Sequence, residues 1–328
     1  MAAPGGRAFG RIGRGGTARR LGLGAVLALT AGTASAEPAP ICAIDMGSNS
    51  FKRIVGSFAG GRYQELRLEK KTLGVGDDLS RHGRISDAKL VEIEAALAAF
   101  QAACGQGGAT RIAAIGTAAF REAPNGPRVV EIAARLGIPM EIASEERESR
   151  LAYLVGSLGR DGYAVIDNGS RSIELVSKQA GREPRHSVFN LGYRIAYERF
   201  FAAADSARAA VDAFRAALRP EAAKAPFMRG MQRLVGVEFE EMAEGLFDPG
   251  ENEGRVLPLA ALARRLEEIR GLPPEGFAEL KGREDIDRAL PRLVVAVALA
   301  EEFGYGALEL TTRELGAGLI IEAGIGRP

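Results

Sequence analysis

Two aspartates in the sequence each follow an apolar run and precede a turn of small, polar residues. The run ICAI leads to Asp45, and the run YAVI leads to Asp167. The turns that follow are Gly47, Ser48, Asn49 and Ser50, and Gly169, Ser170, Arg171 and Ser172. Small residues let backbone N–H groups approach a phosphate closely, and a neighbouring carboxylate can hold the Mg²⁺ that neutralises it. The sequence therefore predicts two phosphate turns with metal-binding aspartates; the alternative is a tight hairpin with an incidental aspartate.

The α/β alternation around these turns predicts the scaffold that positions them. Each turn joins the two strands of a hairpin, at 41–46 and 53–61 for the first turn and within 163–181 for the second. Further strands are expected at 63–74, 111–116 and 139–144, helices at 87–104, 127–137, 145–159, 257–271 and 285–304, and a loop at 75–86. Ligands of α/β sheets bind at the carboxyl ends of strands. Two similar domains that face each other would therefore direct both turns into one cleft.

Residues 1–36 have the layout of a secretory signal peptide. Five arginines precede the apolar run LGLGAVLALT, and TASA then predicts cleavage near Ala36. The apolar run is shorter than the roughly 20 residues that a membrane-spanning helix needs. The pair Arg19-Arg20 leaves twin-arginine export open beside the general secretory route, and a disordered basic tail is the alternative. We expect a periplasmic or secreted protein without membrane attachment after cleavage.

Composition and charge limit the classes of partner. Removal of the leader leaves 292 residues with 38 basic and 42 acidic side chains, which is a formal charge of −4. This balance argues against nucleic acid as a partner, and the length fits two domains. His82 and His186 are the only histidines and stand far apart in the sequence. A Ser-His-Asp triad or a histidine-rich zinc site is therefore not expected.

Several segments, taken in order, resemble the exopolyphosphatase / guanosine pentaphosphate phosphatase (Ppx/GppA) family. They are AIDMGSNSFK (43–52), LGVGDDLSRHGRIS (73–86), IGTAAFREAPNG (115–126), IASEERESRLAYLVG (142–156), IDNGSRSIEL (166–175), NLGYRIAYERFF (190–201) and LTTRELGAGLIIEA (310–323). The resemblance implies an α/β fold of two actin-like (ribonuclease H-like) domains of the sugar kinase, Hsp70 and actin group. We expect a first domain at 37–147, completed by 314–328, and a second domain at 148–313, facing a central cleft.

The resemblance also implies roles for individual residues. Arg121 aligns with an arginine that faces the phosphate, and Glu148 aligns with the catalytic glutamate. The residues that would hold Mg²⁺ are Asp45, Asp167 and Glu174. Two alternatives remain open: Arg121 could form a salt bridge, and Glu148 could be a solvated acid at a helix start, beside Glu145 and Glu146.

Two segments depart from the family pattern. The family's second turn is usually Asp-x-Gly-Gly-Gly-Ser-Thr-Glu, but here Ser170 and Arg171 replace two glycines and Ile173 replaces the threonine. A side chain there narrows the phosphate seat or forces another backbone path, although Arg171 could itself donate to an anion. The family's Gly-Gly-Thr motif on the nucleotide side is expected near 234–245, where only Gly236 remains among acidic residues. This departure argues against a kinase or an ATPase.

Three functions remain open at this point. The favoured one is an exported hydrolase that releases terminal phosphate from inorganic polyphosphate or a related chain, with Glu148 as general base. The second is a family member that binds or senses polyphosphate or phosphate without turnover, and the altered second turn supports it. The third is a partner-binding module without a ligand. Export disfavours guanosine pentaphosphate, a cytosolic alarmone, as the substrate, and a homodimer is possible.

Cys42 and Cys104 are the two cysteines of the chain. A disulfide between them is possible because exported proteins fold in oxidising compartments. A strand start and the end of the preceding helix lie at the same edge of a parallel α/β unit, so the two residues could meet. The alternative is two buried thiols. We favour the two free thiols over the disulfide, because the side chain of Cys42 could point into the sheet core.

Overall fold

The structure, a computed structural model, describes residues 38–247 and 256–326. The signal peptide predicted for 1–36 and its cleavage site lie outside the described residues, as do the last two residues of the predicted return segment 314–328. The described chain is an α/β fold with two mixed sheets, which confirms the predicted fold class. Within the described ranges, no helix combines the length and the apolarity needed to cross a membrane.

The first sheet is built around the hairpin that carries the first turn. Its strands are β1 (Ile41–Met46), β2 (Ser50–Ala59), β3 (Arg62–Thr72), β4 (Arg111–Gly116) and β5 (Met140–Ile142), in the order β3-β2-β1-β4-β5. Its helices are α1 (Val75–His82), α2 (Asp87–Gln106), α3 (Ala118–Glu122) and α4 (Pro127–Arg135). Strand β1 is antiparallel to β2 and parallel to β4. This central position explains why β1 is buried along its whole length and is apolar except for Asp45.

The second sheet repeats this arrangement. Its strands are β6 (Tyr163–Asn168), β7 (Ile173–Lys178), β8 (Arg185–Phe189), β9 (Arg233–Val237), β10 (Val256–Pro258) and β11 (Ala307–Thr311), in the order β10-β11-β9-β6-β7-β8. Strands β8-β7-β6-β9-β11 correspond to β3-β2-β1-β4-β5, and β10 adds an antiparallel edge. The remaining helices are α5 (Glu145–Ser157), α6 (Tyr193–Ala196), α7 (Ala207–Ala223), α8 (Glu240–Leu246), α9 (Leu259–Arg270), α10 (Pro274–Lys281), α11 (Ile286–Phe303) and α12 (Ala317–Ile325). The sequence analysis predicted neither β8 nor the strands β9, β10 and β11 that follow it.

Helices α5 and α12 belong to a hydrophobic core that both sheets share. Leu151 of α5 and Ile320 of α12 are buried in one cluster with Ile54 of the first sheet and Val165 of the second. Helix α12 packs against β1, β2 and α5. The boundaries of the two predicted domains stay a prediction, because this core is common to both sheets.

The prediction of a loop at 75–86 is wrong for residues 75–82, which form α1. Gly74 and Gly83 flank this helix in the left-handed conformation, and the Gly83 N–H donates to the Leu79 carbonyl at 2.8 Å. Val75 and Leu79 lie one helical turn apart and are both buried. The glycines and acids that resembled a loop are therefore the ends of a short amphipathic helix.

Cys42 and Cys104 form a disulfide, so the preference for two free thiols is wrong. Helix α2 ends beside the start of β4, and β4 lies parallel to β1 with Cys42 opposite Ile112. This geometry brings the two Cα atoms to 5.7 Å, within the usual range for a disulfide. The bridge is fully buried and packs against Val55.

Candidate functional site

A cavity of about 260 Å³ lies where β1 and β6 end, and both turns line it. Of the residues predicted for the site, those that line this cavity are Asp45, Gly47, Ser48, Asn49, Ser50, Glu148, Asp167, Gly169, Ser170, Arg171, Ser172 and Glu174. Arg121 is not part of the lining but bonds Glu148, which is. The two hairpins, separated by more than a hundred residues in the sequence, thus meet at one concave site.

Hydrogen bonds within the hairpin and from the chain that follows β3 hold the first turn closed. The Gly47 N–H donates to the Ser50 carbonyl at 3.0 Å. The Asn49 carbonyl accepts from the N–H groups of Leu73 and Gly74, both at 2.9 Å. A Cβ added to Gly47 would lie 3.1 Å from the Ser50 carbonyl oxygen, so the turn has little room for a side chain there.

The second turn is fastened to the start of α6. The N–H groups of Gly192, Tyr193 and Arg194 donate to the carbonyls of Arg171, Gly169 and Ser170 at 3.0 to 3.1 Å. A Cβ at Gly192 would lie 2.5 Å from backbone atoms of the turn, so only glycine fits this contact. Neither Ser170 nor Arg171 is among the residues with positive φ. The path of this turn therefore does not require the glycines that the family pattern has.

The Arg171 side chain crosses from the second turn to α3. Its Nη2 lies 2.6 Å and its Nε 3.0 Å from the Oε2 atom of Glu122, and its Nη1 lies 3.4 Å from the Ser80 hydroxyl. Two nitrogens of the guanidinium thus share one carboxylate oxygen, and Nε also lies 3.3 Å from Oε1, so the pair is a charge-assisted hydrogen bond. That Arg171 donates to a bound anion stays a prediction, because a protein carboxylate takes its donors in this structure.

Glu148 and Arg121 form a pair beside the turns. Arg121 Nη1 donates to Glu148 Oε2 and to the Ala143 carbonyl, both at 2.9 Å. Glu148 is 6% exposed, so it is a buried carboxylate and not a solvated acid at the start of α5. Burial raises the pKa of Glu148, although the hydrogen bond and charge of Arg121 lower it. A buried carboxylate with a raised pKa is a stronger base than an exposed one.

The three carboxylates predicted to bind metal are all buried at this site. Burial raises the pKa of Asp45 to about 7, although the Lys52 ammonium lowers it. Burial, followed by the repulsion of Glu238, raises the pKa of Asp167 well above its usual value. Burial, followed by the repulsion of Glu148, does the same to the pKa of Glu174. The cavity therefore concentrates negative charge that a cation would relieve.

Sequence reasoning missed a network of ion pairs that lines the cavity beside Asp45 and Asn168. Its cations are Lys52 of β2, Lys70 of β3, and Arg288 and Arg292 of α11. Its anions are Glu238, Glu241 and Glu314. Lys52 bonds Glu238 and lies 2.5 Å from Glu314, and Arg292 bonds Glu241. The available signal was a basic residue within an apolar segment, as in the run LPRLVVAV of α11.

Comparisons with known proteins agree with this fold. The model of the Ppx/GppA phosphatase family matches residues 54–319. The chain is 21% identical to the solved structure of a Ppx/GppA family member from Aquifex aeolicus, over 87% of this chain and 97% of that chain, with a TM-score of 0.73. It is 19% identical to a solved exopolyphosphatase from Cytophaga hutchinsonii, over 88% of this chain and 99% of that chain, with a TM-score of 0.69. The similarity confirms the predicted actin-like fold.

Proposed function

Because the chain belongs to the Ppx/GppA phosphatase family, we propose that it is an exported phosphoanhydride hydrolase that releases terminal phosphate from inorganic polyphosphate or a related chain. The observation that carries this proposal is the cavity into which both turns open beside the pair of Glu148 and Arg121. The similarity to a protein described as an exopolyphosphatase supports the substrate class.

The reaction needs a positioned water, a base and stabilisation of the phosphoryl charge. Backbone N–H groups of the two turns would hold the terminal phosphate. Glu148 would take a proton from the attacking water, and Arg121 would orient Glu148 and reach a phosphoryl oxygen with its remaining N–H groups. The water oxygen bonds the terminal phosphorus as the bridging P–O bond breaks. The bridging oxygen leaves with the electron pair on the shortened chain.

The oxygen-rich side of the cavity fits Mg²⁺, which prefers hard oxygen ligands. Oδ1 of Asp167 is buried without a protein partner, and Asp45 is 3% exposed with a raised pKa. Within 38–247 and 256–326, no three His, Cys, Asp or Glu side chains are grouped closely enough to hold a metal by themselves. Asp45 and Asp167 would therefore share the ion with water and substrate, as is common for Mg²⁺. Glu174, which accepts from the Ser172 hydroxyl at 2.6 Å, would support this set. The bound ion would neutralise phosphoryl oxygens.

A periplasmic or secreted location is the second part of the proposal. The basic and apolar leader supports it, as does the disulfide between Cys42 and Cys104, because disulfides persist in oxidising compartments. We propose inorganic phosphoanhydrides as the substrates, since guanosine alarmones are cytosolic.

Phosphate release by the mature protein with Mg²⁺ tests this function. Glu148→Gln should lower kcat by about 10²-fold or more if Glu148 is the general base. Glu146→Gln, at an exposed position of the same helix, is the matched control and should leave kcat unchanged. An unchanged kcat in Glu148→Gln would show that the base lies elsewhere.

A catalytically impaired protein that binds or senses polyphosphate or phosphate is the second candidate. The commitment of Arg171 to Glu122 favours it, because this residue stands within the altered phosphate turn. In that case the wild type would bind tripolyphosphate in calorimetry and release no phosphate from it.

A further inference from the structure

Two groups of cations around the cavity, here named the first end (Lys52, Lys70 and Arg292) and the second end (Arg171 and Arg194), are paired with carboxylates of the protein. At one end, Lys52, Lys70 and Arg292 pair with Glu238, Glu241 and Glu314. At the other end, Arg171 pairs with Glu122, and Arg194 pairs with Asp77 at 2.9 Å. A phosphate chain that extends beyond the turns would therefore meet cations whose charge is already compensated.

The pairs at the second end also bridge the cleft. Arg171 and Arg194 belong to the second turn and α6, whereas Glu122 and Asp77 belong to α3 and α1 of the first sheet's side. The space between these pairs is a separate cavity of about 20 Å³, and Ser48, Ser170 and Arg171 line both cavities. A space of that size holds roughly one water molecule. A polyphosphate chain cannot pass there while both pairs are intact.

Two of the cations at the first end, Lys52 and Arg292, are too deeply buried to yield their charge to a substrate, whereas the Lys70 side chain is 42% exposed and lies 3.4 Å from Glu241. The side chains of Lys52 and Arg292 are 8% and 2% exposed. Their shared partner Glu238 adopts a left-handed backbone conformation, with φ of 63°. Removing one partner of a buried pair leaves an uncompensated charge. These ion pairs therefore act as a fixed wall of the cavity.

We infer that the cleft takes short phosphoanhydrides, such as tripolyphosphate, in preference to long polyphosphate chains. The inference rests on the proposed function and specifies its substrate class. A long polyanion gains affinity from unpaired positive charge along its path. Here the turns, Arg121 and the exposed Lys70 are left to recognise the terminal phosphates, and further phosphate units add little binding energy.

The test compares tripolyphosphate with long-chain polyphosphate on the mature protein, at equal concentrations of chain ends. We expect kcat/KM to be at least about tenfold higher for tripolyphosphate. The double variant Glu122→Gln with Asp77→Asn removes both bridging carboxylates. It should lower KM for the long chain by about threefold or more and change KM for tripolyphosphate by less than about twofold.

Glu94→Gln is the matched control, because it neutralises an exposed partner of Arg135 away from the cavity. It should change neither KM. The inference is overturned if the wild type prefers the long chain, or if the double variant leaves the long-chain KM unchanged. If the wild type releases phosphate from neither ligand, the proposed hydrolase fails. Calorimetry with the same two ligands then decides the inference, and tighter binding of the long chain per chain end overturns it.

Discussion

The two phosphate turns have the same sequence pattern but are held in different ways. The first is closed by the bond from Gly47 to Ser50 and by the adjoining segment after β3. The second is fastened by residues 192–194, and its Arg171 side chain reaches across the cleft to Glu122. The first turn therefore depends on its own hairpin and the chain next to it. The second depends on a separate helix and on the opposite side of the cavity.

This difference explains how the second turn can lack two family glycines. Backbone hydrogen bonds from residues 192–194 fix the path of this turn. The position that has no room for a side chain is Gly192, outside the turn itself. A substituted residue such as Arg171 keeps the turn and places its side chain outside the tight contact. Substitutions in a turn are tolerated when another segment holds its backbone.

The largest expected effect concerns the disulfide, which joins β1 of the first sheet to helix α2. The second sheet has no cysteine to form such a bridge. Replacing both Cys42 and Cys104 by alanine should lower the free energy of unfolding by about 4 kcal/mol, because the bridge closes a loop with a sequence separation of 62. The midpoint of urea unfolding measures this loss. Reductant should destabilise the wild type and leave the double variant unchanged. A loss below about 1 kcal/mol would show that the first sheet does not depend on this bridge.

Gly192→Ala should damage the second turn selectively. The new Cβ would lie 2.5 Å from the Arg171 nitrogen and from the Gly169 carbonyl oxygen, so the turn must shift. We expect kcat/KM for tripolyphosphate to fall by about 10²-fold, equivalent to roughly 2.7 kcal/mol. Gly105→Ala in α2 is the control, because its Cβ meets no atom within 4 Å. Wild-type activity in Gly192→Ala would mean that the second turn does not hold the substrate.

Glu241→Gln tests the ion-pair wall beside the second turn through the pH dependence of stability. Burial raises the pKa of Glu241, but Arg292, Lys70 and Arg288 outweigh it and lower this pKa to about 2. The folded pKa lies below the unfolded value of about 4.3. Ionised Glu241 therefore stabilises the fold above that value, and the contribution disappears as pH falls towards 2.

The variant should be less stable than the wild type by about 1–2 kcal/mol at pH 7, after allowance for partial exposure of the side chain. This difference should shrink between pH 4.5 and 2, as measured by urea unfolding. Glu94→Gln, which breaks an exposed pair, should cost less than about 0.5 kcal/mol at either pH. A difference independent of pH would exclude the ionic contribution of Glu241.

The smallest effect compares the equivalent glycines of the two turns. A Cβ at Gly47 would lie 3.1 Å from the Ser50 carbonyl oxygen, whereas one at Gly169 would lie 3.5 Å from that of Ser172. Gly47→Ala should therefore lower kcat/KM by about fivefold and Gly169→Ala by less than about twofold. Steady-state kinetics with tripolyphosphate measures both. Equal losses would show that the turns are equally tight.

Local sequence patterns were sufficient to predict the hairpins and the two turns that line the cavity. Apolar runs that end in Asp45 and Asp167, followed by small residues, specify a buried strand and a tight turn. The same patterns misled at 75–82, where glycines and acids belong to a short helix. They also left β8 unrecognised, since its exposed half resembles a loop.

Local sequence patterns specify two repeated hairpins, each with a carboxylate and a polar turn at the end of a central strand. Backbone propensity and burial act between near neighbours, so these features can be read along the chain. Long-range packing brings Cys42 to Cys104, places Glu238 between Lys52 and Arg292, and carries the Arg171 side chain to Glu122. Lys52 and Glu238 are 186 positions apart in the sequence. A charge in a cavity is compensated by the carboxylates that the packed sheets bring within reach. No local sequence pattern shows which distant residues these are.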